Sequence, residues 1–449
     1  MRFKETILPY CPLAVRILAA RLDGNSLGAR LARGTFWGLA GAVISKSLAL
    51  VGSVWVARML GVEDFGALGV VLGTVGMFGT FAGLALGLTA TKYVAEFRLK
   101  DQAKTGRIIA LSSAVALVTG LAGSLALYCL APWLAARTLA APHLTGLLQI
   151  GALVLLLSGI NGAQTGALCG FEAFRTIARV NVLAGIASFP IAILGVFFGG
   201  LTGAAWASVA SLAVTSGLNH QALRSEAGKA GVPLTFANLW WEKAILWRFA
   251  LPATLAGLVV GPVNWLCSTL LVSQPNGYAE MGILNATTHW FLAIAFLPGI
   301  LGQTVGPLMA EQFGAGSSEG RARLLALSLK ANLITSTPLV ILACLLSPLI
   351  MTSYGPGFRS GWPTLVMVLL TAGLMAVQAP VGQVIAASGK MWVGFWMNLG
   401  WGVSCLVLTS FLAPWGAAGL AFSRLAAYSI HSIWAFAYAL HILRQRSKP

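Results

Sequence analysis

About a dozen apolar runs, each long enough to cross a bilayer, follow one another along this chain, and none contains an aspartate or a glutamate. A crossing needs roughly 20 apolar residues to traverse about 30 Å of hydrocarbon. Lipid offers the backbone no hydrogen-bond partner, so such runs must satisfy themselves as helices. They are expected at 36–57, 66–91, 109–131, 144–168, 178–198, 201–221, 247–271, 282–309, 324–350, 364–387, 391–413 and 417–442. With 57% hydrophobic and only 9% charged residues, the chain cannot clothe a water-soluble surface. An all-α polytopic membrane protein is the expected class.

A net charge of +17 in a soluble protein would suggest nucleic acid as a partner. Here the cations stand in short loops between apolar runs, where they set topology, and no nucleic-acid partner is expected. With the N-terminus inside, 24 of the 29 Lys and Arg residues fall on the inner side and three, Arg58, Arg137 and Arg359, on the outer side. That asymmetry places both termini in the cytoplasm. The two remaining cations, Lys46 and Arg424, lie within spans. The six cysteines show no CxxC and no histidine at metal-ligand spacing, and read as small packing residues. The first 33 residues lack an apolar stretch followed by a small-residue cleavage site, so insertion is expected to begin at the first span.

The longest polar interruption, 222–246, divides the chain after the sixth span. The expected organisation is a cytoplasmic tail (1–35), a six-helix N-lobe (36–221), a cytoplasmic connector (222–246), a six-helix C-lobe (247–442) and a cytoplasmic tail (443–449). The halves echo each other. Asp64-Phe65-Gly66-Ala67-Leu68-Gly69 has a counterpart in Gly277-Tyr278-Ala279-Glu280-Met281-Gly282, and Ala95-Glu96 before Arg107 has one in Ala310-Glu311 before Arg323. Even numbers of spans per half make these parallel repeats, with a substrate path expected between them.

Neither Gly-Lys pair, at 228–229 and 389–390, has the upstream glycine and following Ser or Thr of a phosphate-binding loop. The five histidines are scattered without a carboxylate on the same intramembrane face, so neither catalytic residues, nor a metal, nor a cofactor is expected. Lys46 is different. It sits about ten residues, or roughly 15 Å, into its span. Such a charge costs on the order of 2.5–3.5 kcal/mol on insertion scales and marks an anion site facing a wet cavity, unless Ser45, Ser47 or backbone carbonyls satisfy it. Arg424 reads the same way, and Arg58 more weakly, since a helix end lets it snorkel or pair with Glu63 or Asp64. Asn161, Gln164, Asn181, Asn264, Asn285, His289, Gln303, Gln378, Gln383 and Asn398 could line the same cavity or simply bond a neighbouring helix. Glycines at four-residue spacing, such as Gly162, Gly166 and Gly170 or Gly195, Gly199 and Gly203, read as helix-packing positions.

The segments Gly34-Thr35-Phe36-Trp37-Gly38, Ala57-Arg58-Met59-Leu60-Gly61-Val62-Glu63-Asp64-Phe65-Gly66 and Gly87-Leu88-Thr89-Ala90-Thr91-Lys92-Tyr93-Val94-Ala95-Glu96 resemble the first two helices of polysaccharide transporters. These are the O-antigen and related oligosaccharide flippases of the superfamily that also holds the multidrug and toxic compound extrusion (MATE) transporters. The resemblance implies a MATE-like fold in a bacterial inner membrane. It also implies flipping of an undecaprenyl-diphosphate-linked oligosaccharide between leaflets for lipopolysaccharide or other surface polysaccharide assembly. The diphosphate would be the anion that Lys46 and Arg424 require. On this reading the partners are the lipid-linked oligosaccharide and membrane lipids, and the sequence leaves open a polymerase or assembly protein. Two alternatives remain: a cation-coupled exporter of drugs or small solutes, disfavoured by the missing intramembrane carboxylate, and a membrane enzyme acting on lipid-linked sugars.

Overall fold

The computed structural model describes residues 27–444 except 84, 236, 252, 253, 256, 257 and 315–317. Most of the expected N-terminal tail and all but the first two residues of the C-terminal tail lie outside the described residues. Everything else is helices and turns, with no strand among the described residues. Seven segments are individually long and apolar enough to cross a membrane. Two of the underlying helices, Leu27–Ala82 and Phe174–Lys229, run for 56 residues each. At 1.5 Å per residue each would extend about 84 Å if straight, far more than the roughly 30 Å of hydrocarbon. Both turn back on a single glycine. Gly61 has φ 81° and Gly200 φ 52°, left-handed conformations that residues with a Cβ adopt only under strain.

Split at these glycines and at the 413–416 turn, the helices give the twelve expected crossings. Span one is 27–60 and span two 62–82, continued by Leu86–Phe97. Spans three and four are Gln102–Trp133 and Thr145–Gly170, and spans five and six are 174–199 and 201–229. In the second half they are Val260–Val272, Gly277–Gly314, Ser318–Leu345, Trp362–Ala387, Met391–Leu412 and Gly416–Arg444. Several boundaries differ from expectation: helix is present from Leu27 in span one and Gln102 in span three, span two breaks after Ala82, span nine is Ser318–Leu345, and two further differences have a visible cause. Helix continues from 222 to Lys229, beyond the apolar run, where Lys229 and Thr176 each hydrogen-bond Glu226, at 2.7 and 2.8 Å. Span seven enters through a π-helical turn, Leu246–Ala250, instead of a continuous helix from 247.

Two ends of the bundle can be distinguished by their loops. One holds the turns at Gly61, Gly200 and Gly416 and is called the turn end; the other holds the residue 230–245 connector. The connector is an arm of the first lobe. Gln102 donates to the Ala230 carbonyl at 3.0 Å, Arg107 pairs with Glu242 at 3.0 Å, and Gly106 lies against the Pro233 carbonyl.

Within the lobes, helices meet at small residues, because lipid gives apolar side chains no reason to prefer each other over acyl chains. A Cβ on Gly166 would overlap the Gly87 backbone, and one on Gly203 would overlap the Gly195 carbonyl. Thr91 adds a hydrogen bond to the Gly166 carbonyl at 3.0 Å.

Between the lobes, the repeated turn motifs face each other. A Cβ on Gly66 would collide with the Tyr278 carbonyl, and one on Gly282 with the Val62 carbonyl. Around them Asn285 donates to the Phe65 carbonyl at 3.2 Å, Tyr278 to the Leu139 carbonyl at 2.8 Å, and Phe65 meets Phe358 edge-on at 6.0 Å. The turn end of the interlobe seam is therefore a backbone-to-backbone closure. Gly66→Ala or Gly282→Ala should destabilise the protein by about 1–3 kcal/mol through overpacking. Gly73→Ala, with open space around it, should stay within about 0.5 kcal/mol of wild type. Thermal unfolding of the purified protein in detergent checks this, and equal midpoints for all three variants would show that the seam does not depend on these glycines.

Candidate functional site

Lys46 stands on span one, within the apolar run 36–57. Its side chain is exposed, and its ammonium lies 5.7 Å from the centroid of the Phe296 ring on span eight. A cation–π contact at an exposed site gains only about 0.5–1 kcal/mol. No carboxylate pairs with it among the described residues. Lys46, Ser47, His289, Trp290 and Phe296 border a cavity of about 260 Å³ at the seam between spans one and eight, one from each lobe. An unpaired cation is thus presented where the lobes part.

A second cavity, of about 470 Å³, lies on the other side of span one, between spans one, two, five and six, and touches span eight through Asn285 and His289. The two cavities share Ala49 and His289 as a common wall. Consecutive residues of a helix are about 100° apart, which explains how Ser45 faces the larger cavity and Lys46 the smaller. A third cavity, about 220 Å³, occupies the opposite seam, between spans two and seven, where Trp265 donates to Thr74 at 3.0 Å.

Arg424 is elsewhere. It is half-buried on span twelve, its Nε buried without a hydrogen-bond partner. Its charge is felt by Cys267 of span seven, Cys405 of span eleven and Tyr428 one turn along its own helix. The two thiols are 3.7 Å apart, and Tyr428 packs on Trp401 at 4.9 Å between centroids. None of these residues borders Lys46, so each lobe carries one intramembrane cation with its own surroundings.

The remaining expected residues divide by what holds them. Arg58 donates its Nε to the Ser353 carbonyl, tying span one to the short helix Ser347–Tyr354 at the turn end; the sequence had offered Glu63 or Asp64 as partners. Asn161 accepts from Asn219 at 2.7 Å, linking spans four and six. Gln378 is bonded by His431 and Ser432, both at 2.6 Å, linking spans ten and twelve. Asn264 donates to its own helix at the Val260 carbonyl, 2.9 Å away, and borders the third cavity. Gln164 is buried with its Oε1 unpartnered. Of the expected set, the structure brings Lys46 and His289 to the smaller cavity and Asn181, Asn285 and His289 to the larger.

Sequence reasoning missed most of the hydroxyl lining of the larger cavity. Ser208, Ser211 and Thr215 recur at three- and four-residue intervals on span six, and Ser188 follows the expected Asn181 by seven residues on span five. That spacing places each set on one helix face and was the available signal. Single serines and threonines in spans are easily dismissed because they can bond their own preceding turn, as Ser208 does to the Ala204 carbonyl at 3.0 Å.

The sequence pattern of the family described as polysaccharide biosynthesis protein matches residues 31–313. The EPS I polysaccharide export inner membrane protein EpsE of Ralstonia solanacearum is 26% identical over 400 residues, covering 87% of this chain and 89% of that protein. An inward-facing multidrug resistance MATE family transporter of the MOP superfamily superposes with a TM-score of 0.71 at 15% identity, over 90% of this chain and 98% of that one. A MOP superfamily transporter from Pyrococcus furiosus gives 0.67 at 15% identity, over 94% and 97%. At such identities the solved structures establish the fold, a MATE-like bundle. Because the family pattern spans well over half of the sequence, the chain belongs to the polysaccharide biosynthesis protein family.

Proposed function

We propose that the protein translocates a lipid-linked oligosaccharide, carried on undecaprenyl diphosphate, from the cytoplasmic to the outer leaflet of a bacterial inner membrane. The observation that carries this reading is Lys46: an exposed cation at the seam between spans one and eight, with no carboxylate to pair it. A fixed internal salt bridge would compete with an anionic headgroup, whereas an open lysine can exchange water for phosphate oxygens. A seam between two helices also allows a lipid tail to stay in the bilayer while its headgroup reaches the cation. Arg424, in the second lobe near Cys267, Cys405 and Tyr428, is the second candidate cation for the headgroup. The export role in the name of the Ralstonia relatives and their inner-membrane location support the same reading.

Sidedness follows from the charge distribution. The connector end carries most of the cations and is assigned to the cytoplasm. The turn-end closure built on Gly66 and Gly282 then seals the outer face in this conformation. The MATE-like fold keeps a drug exporter in view, yet the described carboxylates, among them Glu63, Asp64, Glu96, Glu280 and Glu311, lie at helix ends or beside turns, not at mid-span where a coupling cation would be held.

Thr235, exposed in the connector, gives a test of sidedness. Thr235→Cys in a cysteine-free background should resist an impermeant thiol reagent added to intact cells and react in inside-out vesicles. Labelling from outside would invert the orientation and the direction of transport.

Lys46→Ala should lower flipping of the lipid-linked oligosaccharide in reconstituted vesicles by about tenfold or more, the equivalent of one charge-assisted hydrogen bond. Lys46→Arg should keep part of the activity, since charge is retained and donor geometry changes. Arg424→Ala should also reduce transport. Undiminished flipping by Lys46→Ala, Arg424→Ala and their double variant at normal folded yield would make both residues structural.

A further inference from the structure

The about 470 Å³ cavity between spans one, two, five and six has a lining chemically unlike that around Lys46. It contains no Lys, Arg, Asp or Glu; its polar groups are hydroxyls, amides and the imidazole of His289. Ser208, Ser211 and Thr215 on span six face Asn181 and Ser188 on span five. These five are half-buried. Asn181, Ser188 and the Ser211 hydroxyl have no side-chain hydrogen-bond partner among the described residues. At the turn end the cavity is walled by buried Val56, Phe65, Val196 and Ala204, so the polar groups lie toward mid-span. The Phe189 ring also borders it, 3.5 Å from the position of a Cβ on Gly52.

Such a lining discriminates by chemistry. A phosphate would find no cation in it, and a cationic drug no carboxylate. A ligand bearing many uncharged hydroxyls fits, because each sugar hydroxyl both donates and accepts, as Ser, Thr and Asn side chains do. Neutral pairs replace the ligand's water without stripping an ion of its hydration. The volume falls within the roughly 300–1,000 Å³ typical of small-molecule sites. The wall shared with the Lys46 cavity, Ala49 and His289, sets the two chemistries side by side.

We infer that this cavity is a glycan subsite of the first lobe, receiving the sugars next to the diphosphate while Lys46 holds the phosphates; the assignment rests on the lipid-linked reading above. His289 stands at the junction of the two subsites. Specificity for the glycan is then set by spans five and six, and retention of the carrier by span one.

The test uses the full-length protein in lipid nanodiscs with three probes: bare undecaprenyl diphosphate, the undecaprenyl-diphosphate-linked oligosaccharide extracted from the host bacterium, and ethidium as a hydrophobic cation. The Asn181→Ala/Ser211→Ala double variant removes two polar partners without adding bulk, and Ser208→Phe fills the space. In wild type the glycosylated carrier should bind more tightly than the bare one. The double variant should lose about tenfold in affinity for the glycosylated carrier, a loss of one to two neutral hydrogen bonds, and leave the bare carrier unchanged. Lys46→Ala should weaken both carriers alike. Equal binding of both carriers by wild type, or an unchanged preference in a folded double variant, overturns the glycan subsite while leaving the carrier reading intact. Binding of ethidium that Ser208→Phe abolishes, with no binding of either carrier, overturns both.

Discussion

Everything in this fold follows from a solvent that cannot hydrogen-bond. Acyl chains give a backbone carbonyl nothing, so each crossing closes its own ladder as a helix, and reversals are confined to positions such as Gly61 and Gly200 where the chain adopts left-handed geometry. The same solvent removes the usual drive for apolar faces to associate. Contact must come from close approach, and it does so at Gly87 against Gly166, Gly195 against Gly203, and Gly66 against the Tyr278 carbonyl. The last of these also gives the duplication a physical meaning, since the repeated turn of one half packs on that of the other.

The constraint explains the distribution of polar groups as well. Inside the lobes most hydroxyls bond their own preceding turn, while a few larger side chains link helices: Asn161 with Asn219, Gln378 with His431 and Ser432, Asn332 with the Ala376 carbonyl at 2.9 Å. A few are left open, among them Lys46 on span one and Asn181, Ser188 and Ser211 on spans five and six. Lys46 faces the seam with span eight, and Ser45, a neighbour in sequence, faces spans five and six. Span one thereby separates a cationic environment from a neutral, hydroxyl-rich one, the two chemistries present in a sugar phosphate. Arg58, near the end of the same span, is committed to the Ser353 carbonyl and serves the turn-end closure.

The proposed translocation by alternating access requires a seam that holds at one end and can part along its length. Here the holding end is built from backbone contacts, neutral hydrogen bonds such as Asn285 to Phe65 and Tyr278 to Leu139, and the charged Arg58 donor to the Ser353 carbonyl, with no ion pair across it among the described residues. Neutral bonds contribute about 0.5–1.5 kcal/mol each and the charged one about 1.5–3 kcal/mol, so a closure made of so few remains reversible.

Class, number of crossings, duplication and the two unusual cations were legible in the sequence, because burial in lipid writes a strong and local signal: a run of apolar residues is visible wherever it occurs, and a lysine within it stands out by its cost. The roles of Arg58, Asn161 and Gln378 were not legible, since a polar side chain in a span bonds whichever helix lies beside it, and sequence does not say which one does. That Lys46 and Arg424 have separate surroundings, and that the serines of spans five and six converge with Asn181 on one cavity, was decided only by how the helices pack. The sequence determined that polar faces exist, through three- and four-residue spacing; the tertiary structure decided which faces look at each other, because helix rotation and neighbours are set by glycine contacts far apart along the chain.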